Sequence, residues 1–378
     1  MKRVDLSSKK VAIVADWLTN QGGAEHVVAE LHKAFPSAPI LTSVYNPKKL
    51  PQFADADVRT SFVQDLPWAK TKHQLYLLAY PYAFESFDLD EYDVVVSSAH
   101  ACAKGVITKP STVHVSYCHS PMRYAWDGSQ RYISESGFPW LLRKTVIPYG
   151  MRRMRLWDRL AADRVDYFVA NSAHVARRIR KYYERESEVI HPPVYTERFY
   201  VSKNVEDYYL AVGRLIPYKR FDLLVAAFNE LGLPLRIVGT GPEYARLRRM
   251  ANSNIEFTGF VSDSELSDLY SECTAFLFPQ EEDFGIASVE AMASGRPVIA
   301  YGRGGGAETV VDGETGILFD EQTVESLVKA VKSFNPKKFS SRAIKNHAEQ
   351  FNAARFRERM LEHVSFAYTD WQRTLENL

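Results

Sequence analysis

Two glutamates, an arginine and a lysine have the residue types and spacing to handle a diphosphate carrying hydroxyl-rich groups. The run Glu282-Asp283-Phe284-Gly285-Ile286-Ala287-Ser288-Val289-Glu290 follows a strand pattern at Ala275–Phe278, and Gly285 lies where a helix should begin. A helix start presents unoccupied N–H groups and the positive end of the helix dipole, which favour an anion. Glu290 lies about five residues into that helix, or roughly 7–8 Å along it. Glu282 and Glu290 would flank a bound phosphate group, each able to accept from hydroxyls. Glutamates near a helix start also serve as capping and solvated surface groups. The run Gly213-Arg214-Leu215-Ile216-Pro217-Tyr218-Lys219-Arg220 follows another strand pattern, Tyr209–Val212. At a strand's carboxyl end Arg214 offers a fork and Lys219 a point charge, a pairing suited to a diphosphate whose leaving charge must be neutralised. Arg220 reads as a solvated loop residue. Gly239-Thr240-Gly241 is a glycine turn whose backbone could approach a ligand closely, and Gly304-Gly305-Gly306-Ala307-Glu308 is a second glycine run.

In the first half, Gly22-Gly23-Ala24-Glu25 follows the strand pattern Val11–Val14 and opens a helical pattern to Ala34. His119 follows Val113–Tyr117, in His119-Ser120-Pro121-Met122-Arg123-Tyr124-Ala125-Trp126-Asp127. It could hydrogen-bond a substrate hydroxyl, serve as a base, or satisfy its own loop. No serine or cysteine has an evident base and orienting acid, and no histidine or Asp-x-Asp spacing suggests a metal.

The elements that would position these residues are short apolar strands alternating with helices. Val11–Val14, Ile40–Val44, Val94–Ser98, Val113–Tyr117 and Tyr167–Ala170 form one series, and their continuous apolar runs suit a parallel sheet covered on both faces. After the stiff Pro192-Pro193 the alternation restarts. It places strands at Tyr209–Val212, Leu235–Val238, Ile255–Thr258, Ala275–Phe278 and Val298–Tyr301, with helices between them and a helical tail over Ala343–Leu375. The expected fold is α/β, with two doubly wound Rossmann-like domains and a cleft between them. At 378 residues, two domains are comfortable; 46% hydrophobic and 25% charged residues exclude a disordered or fibrous chain. Forty-seven basic against 46 acidic side chains leave +1, which gives no global case for nucleic acid. Cys102, Cys118 and Cys273 are too few for a disulfide framework and fit a reducing compartment. Met1–Lys10 is polar, and no uncharged apolar run is long enough for a transmembrane helix, so a cytoplasmic protein is expected.

Together these residues resemble the retaining glycosyltransferases of family 4, of GT-B architecture. The markers in order are Gly22–Glu25, His119, Asn171-Ser172, Gly213-Arg214 with Lys219, Glu282 to Glu290, and Gly304–Glu308. The segment around His119 looks like bacterial members of surface-polysaccharide assembly, many of them mannosyltransferases. The resemblance implies two facing domains, an acceptor-binding one over 1–194 and a donor-binding one over 195–355. A C-terminal helix over 356–378 would cross back to the first. It implies that Arg214 and Lys219 hold the donor diphosphate, Glu282 the sugar hydroxyls with Gly285, Ile286 and Ala287 nearby, and Glu290 the ribose. Gly22 and Gly23 would close on the phosphate, His119 would meet the sugar near the reacting carbon, and Phe260 and Val261 would lie beside the base. Gly213, Gly239, Gly241 and Asn171 complete the expected donor set; Arg123, Tyr124 and Trp126 are the expected acceptor contacts. The implied partners are a nucleotide-sugar donor, GDP-mannose favoured over UDP-sugars, and a glycan or lipid-linked acceptor, with neither metal nor other cofactor. An epimerase or a silent sugar-nucleotide-binding protein would share the fold.

The segment 140–160 mixes Arg143, Lys144, Arg152, Arg153, Arg155 and Arg159 with Trp140, Tyr149 and Trp157 among aliphatic residues. It admits two readings, an anionic membrane surface on the inner face of the cell membrane, or an amphipathic helix whose apolar face packs in the core. Pro148 and Gly150 should interrupt it.

Overall fold

The computed structural model describes residues 6, 8–130, 133 and 139–377, so the polar start read over Met1–Lys10 lies partly outside the described residues. The chain divides into two compact units, Met1–His191 with Phe356–Leu378, and Pro192–Arg355. In the first, seven parallel strands lie in the order β3-β2-β1-β4-β5-β6-β7. They are β1 Val11–Ala15, β2 Ile40–Thr42, β3 Val58–Thr60, β4 Val94–Ala99, β5 Val113–Cys118, β6 Tyr167–Ala170 and β7 Ser187–Val189. In the second, six parallel strands lie in the order β10-β9-β8-β11-β12-β13. These are β8 Tyr209–Val212, β9 Leu235–Val238, β10 Ile255–Gly259, β11 Ala275–Phe278, β12 Val298–Tyr301 and β13 Gly316–Phe319. Both are doubly wound sheets whose strand order reverses beside the first strand, between β1 and β4 and between β8 and β11.

The central strands β1, β4, β5, β11 and β12 are buried along their whole length; β1, β11 and β12 are unbroken apolar runs, while β4 and β5 also bury Ser97, Ser98, His114 and Ser116. Strands β3, β7 and β13, absent from the sequence reading, all lie at sheet edges; in β3 and β7, Arg59 and Glu188 face solvent and break the apolar signal, while β13 is only the short run Gly316–Phe319. The helical tail is in fact two helices, Ser341–Ala348 and Ala353–Glu376, separated by a tight turn at Glu349–Phe351. Phe356, Met360, Val364, Ala367 and Tyr368 of the second helix enter the core of the first sheet beside Tyr117 and Val169. Arg357 pairs with the buried Glu30, Tyr167 donates to Asp370 at 2.7 Å, and the indole N–H of Trp371 donates to the Pro110 carbonyl at 3.2 Å.

Over 140–160 the break falls at Thr145, between the helices Trp140–Lys144 and Val146–Asp163. Pro148 sits in the first turn of the second helix, where its missing N–H leaves no intrahelical bond unmade, so it does not interrupt the segment. Gly150, Met154, Asp158, Ala161 and Ala162 form its buried side. Asp158 is fully buried and accepts from Lys104, from the Trp126 indole N–H at 2.7 Å and from the Tyr183 hydroxyl at 2.8 Å.

Candidate functional site

At the strand-order reversal of the second sheet, the loop after β8 carries Gly213, the exposed Arg214 and Lys219. Lys219 Nζ lies 2.9 Å from Glu282 Oε1, on the loop after β11, and both side chains are mostly buried. The loop from Glu282 to Gly285 ends on Gly285 at φ +95, and the helix Ile286–Ala293 starts there with no side-chain cap. Gly285 has no side chain with which to cap the helix, so the first N–H groups, those of Ile286 and Ala287 among them, begin at the carboxyl edge of the sheet without an N-cap acceptor. The glycine run fixes that loop. A Cβ on Gly305 would fall 2.2 Å from the Phe284 Cα, and the Gly305 N–H donates to the Glu282 carbonyl at 2.7 Å. Only glycine allows the two loops to lie this close.

Glu290 lies inside the same helix and accepts from the Tyr270 hydroxyl at 3.0 Å. Burial pushes its carboxyl up from the usual carboxylate range, with the Tyr270 hydrogen bond acting against it. Tyr270 was not legible as a site residue, since it belongs to the ordinary amphipathic pattern of Asp263–Glu272. Phe260, 87% exposed, follows β10 with the half-buried Val261 beside it. For Gly239 and Gly241 the structure supplies a reason within the fold. A Cβ on Gly239 would fall 2.0 Å from the Gly213 carbonyl oxygen, and one on Gly241 2.3 Å from that of Leu215. These glycines let the turn after β9 lie against the Arg214 loop. Arg220 is half-buried in the left-handed region, reaching Asp222 and Gln322 at 3.3 and 3.4 Å, so it is a helix-entry residue rather than a solvated one.

The reversal point of the first sheet is built differently. Asp16, directly after β1, accepts from four successive backbone N–H groups, those of His100, Ala101, Cys102 and Ala103, at 2.6–2.8 Å. His100 Nδ1 lies 3.1 Å from the same carboxylate. Glu25, in the first turn of the helix Gly23–Ala34, is buried. Burial pushes its carboxyl up to about 7, opposed by a hydrogen bond from its own backbone N–H and helped by the nearby Asp16. Asp16 and His100 were missed because a lone aspartate after a strand, and a histidine without metal-ligand spacing, carry no signal until the fold brings their loops together. His119 Nε2 and Ser98 Oγ share a hydrogen bond at 2.8 Å. Burial, with His100 adding to it, lowers the imidazole to about 3, so His119 is neutral near pH 7. Asn171 is buried after β6, its side-chain oxygen without a hydrogen-bond partner among the described residues.

The expected acceptor contacts look different in the fold. Trp126 gives its indole N–H to Asp158 and stacks on Tyr182 at 4.7 Å, and Tyr124 packs with Trp126 against the apolar cluster of Tyr80, Phe84 and Met122. Core packing accounts for both residues without an acceptor; Arg123 is half-buried beside them. Among the described residues no group of three His, Cys, Asp or Glu side chains could hold a metal ion, and no helix is long and apolar enough to cross a membrane.

Two sheets of this order with this pair of reversal points define the GT-B class of glycosyltransferase fold, and solved structures agree. The Anabaena protein HepE, solved with UDP and glucose, matches over 94% of this chain and 99% of its own, with TM-score 0.67 and 18% identity. Sucrose-phosphate synthase from Thermosynechococcus elongatus matches over 98% and 100%, at 0.65 and 17%. Family models divide the sequence between them: Glycosyltransferase Family 4 matches residues 21–198 and Glycosyl transferases group 1 matches 196–351. The chain belongs to the family 4 glycosyltransferases. A GDP-mannose-dependent phosphatidylinositol monomannoside mannosyltransferase of Mycolicibacterium smegmatis is 34% identical over 140 residues, 32% of this chain and 37% of its own length. O-antigen chain mannosyltransferase C of Escherichia coli is 30% identical over 173 residues, 43% and 47%. The chain spans about half the length, or less, of the curated relatives it matches.

Proposed function

We propose that this chain is a retaining hexosyltransferase that moves mannose from GDP-mannose to a glycan or lipid-linked acceptor in cell-surface polysaccharide or glycolipid synthesis. The observation that carries the reading is the Lys219–Glu282 pair at the reversal point of the second sheet, 2.9 Å apart beside the helix start at Gly285. Without ligand the two charges neutralise each other. A donor diphosphate would draw Lys219 and Arg214 to itself and free Glu282 to accept from sugar hydroxyls. Glu290, with one oxygen held by Tyr270, would offer the other to the ribose. Phe260 and Val261 would line the base, and Gly22 and Gly23 would approach the phosphate. The neutral His119 suits a hydrogen bond to the sugar better than the work of a base, because a group with so low a pKa holds a proton weakly. The departing phosphate oxygen itself would take the acceptor's proton on the face it leaves, which retains the anomeric configuration. Arg214, Lys219 and the helix start supply the neutralising charge, so no metal is required.

GDP-mannose is favoured by the named activity of the mycobacterial relative, and mannose as the sugar also by that of the Escherichia coli relative. A UDP-sugar, carrying glucose or N-acetylglucosamine, is the second reading, favoured by the UDP and glucose held by the Anabaena neighbour. Thermal shift with GDP, UDP and ADP separates the bases, since a ligand at about 100 times its Kd adds about 2.7 kcal/mol. Sugar transfer from GDP-mannose should require an acceptor and persist in excess EDTA. Stabilisation by none of the three nucleotides, or loss of activity in chelator with rescue by magnesium, would sink the reading.

A lipid-linked acceptor would require a bilayer surface, and the first unit has a candidate. The helix Val146–Asp163 turns Val146, Tyr149, Arg153, Leu156 and Leu160 outward, a helical stripe opposite its packed side. Leu75, Leu78 and Tyr82 are exposed as well, with Leu78 lying against Gly150 on the packed side of that helix. Trp140, 61% exposed, with Lys144 and Arg152, gives the stripe the aromatic and basic character of an anionic-lipid contact.

A further inference from the structure

We propose that Tyr270 is a positioning residue that makes the second unit selective for ribose over deoxyribose, by holding Glu290 as a ready-made acceptor for the sugar's hydroxyls. The proposal rests on the sugar-nucleotide reading above and names what that site would discriminate. All the residues involved belong to the second unit. Tyr270 lies on the helix Asp263–Glu272, which opens with a capping box between Ser262 and Glu265. Its ring is fully buried and packs against Phe199 and Phe276, with centroids 5.7 and 5.5 Å away. The hydroxyl is thus fixed in place, and it donates to Glu290 Oε2, on the neighbouring helix, at 3.0 Å. The second carboxylate oxygen has no hydrogen-bond partner among the described residues, and Glu290 is only half-buried, so that oxygen is the one to meet a ligand.

The charges around Glu290 leave that oxygen unengaged. Lys219, from the loop after β8, pairs with Glu282 at 2.9 Å. Arg198, from the turn Thr196–Arg198, pairs with Asp263 at the start of the Tyr270 helix. Both cations favour an ionised Glu290 and Asp263 opposes it, but among the described residues none of them is in contact with it. A lysine or arginine in contact would occupy the carboxylate, as Lys219 occupies Glu282, and would have to be displaced before a ligand could bind. A neutral hydroxyl fixes one oxygen and leaves the other charged and open. An ionised carboxylate only accepts, so its ligand must donate, and the hydroxyls of a ribose beside a diphosphate meet that demand. Burial raises the carboxyl's hold on a proton, and the Tyr270 hydrogen bond is the strongest influence against it. Tyr270 therefore both aims the carboxylate and keeps it ionised. Without the hydroxyl, the carboxyl would take up its proton at higher pH and lose there its strength as an acceptor.

Calorimetric titration of GDP and UDP into the full chain at about pH 5, 6, 7 and 8, beside counterparts lacking either ribose hydroxyl, reads the selectivity directly. The phosphates titrate alike in each pair, so the ratio of affinities isolates the ribose. Wild type should prefer the ribonucleotide by about tenfold or more, and the preference should shrink as pH falls and Glu290 takes a proton. Tyr270→Phe keeps the ring and its packing. Its preference near pH 6 should be about three- to tenfold smaller than that of wild type, and the decline should begin at higher pH. In Glu290→Gln the preference should be small and independent of pH, and adding Tyr270→Phe should change it no further. Melting curves confirm that each variant is folded. A wild-type preference and pH profile in Tyr270→Phe overturns the role of Tyr270, whatever happens to the melting point, and leaves the donor reading intact. Equal affinity of the wild type for ribose and deoxyribose forms overturns the ribose contact of Glu290, and this proposal with it. A wild-type chain that binds neither GDP nor UDP overturns the donor reading itself.

Discussion

The two sheets share a strand order and a reversal point, yet the chemistry at those points is opposite. In the second unit a lysine faces a carboxylate at 2.9 Å across two loops, and the glycine run 304–306 holds the carboxylate's loop in place. In the first unit a carboxylate is locked by four backbone N–H groups, a second carboxyl sits buried beside it, and the histidine at the next strand end is neutral. The second reversal point has charge that can be rearranged around a ligand; the first uses its strongest charge to hold its own backbone. Topology places a site, and loops decide what it does.

The sharpest way to break this contrast is to remove the cations. Changing Arg214 and Lys219 together to alanine should slow transfer by about a thousandfold or more, since each charge-assisted bond is worth about 1.5–3 kcal/mol. Calorimetry that finds wild-type affinity for nucleoside diphosphate in the double variant would refute the assignment.

Acid should separate the units next. Burial holds His73 and His114 at about 4 and His119 at about 3, all in the first unit. Each has a folded pKa below its unfolded value, so its stabilising effect is full above about pH 6.5 and is lost as pH falls toward 4. The loss is up to about 1.4 kcal/mol per pH unit for each histidine. Glu25, shifted the other way, offsets one of the three between its unfolded value and about 7. All six tryptophans lie in the first unit, so their fluorescence follows it alone, while circular dichroism follows both. The fluorescence transition should come at higher pH than the loss of helix; coincident transitions would refute this.

A smaller effect compares the two aspartate and glutamate roles. Asp16→Ala leaves four N–H groups without their acceptor and should cost about 3 kcal/mol, seen as a melting shift of several degrees. Glu282→Ala should cost less, because it removes one partner of a single ion pair whose lysine, 18% exposed, can still reach water, and leaves no backbone N–H without its acceptor. Equal melting points for the two variants would erase the distinction. Least in energy per residue, at about 1 kcal/mol each, are the basic side chains of the outward stripe. Lys144, Arg152 and Arg153 changed to Glu should abolish flotation with anionic vesicles at low salt while leaving a soluble-acceptor reaction unchanged. Arg155 is unsuitable for this test because it donates to the Ala125 carbonyl at 2.7 Å and packs over Trp126.

Much of this was legible in the sequence where hydrophobic burial and glycine punctuation carry the signal. The central strands and the helix start at Gly285 stand out because two-sided burial demands unbroken apolar runs and a sharp turn demands glycine. The edge strands β3 and β7 did not, since one open side admits Arg59 or Glu188 without penalty. Of the site, the residues next to strand ends could be picked out, but not their states. That Asp16 gathers four N–H groups from residues 100–103, or that Trp126 gives its N–H to Asp158, depends on loops remote in sequence. Those contacts leave no local pattern.

The crossing of the C-terminal helix has a consequence for biosynthesis. The core of the first unit includes Phe356, Met360 and Val364, so the chain segment 192–355 is an insertion within that unit rather than a successor to it. On the ribosome, the second sheet is complete before the first has received its last helix. The earlier-made half must wait with an apolar face uncovered, where a chaperone would bind. Synthesis arrested just after Arg355 should yield a nascent chain whose second unit resists protease and whose first does not.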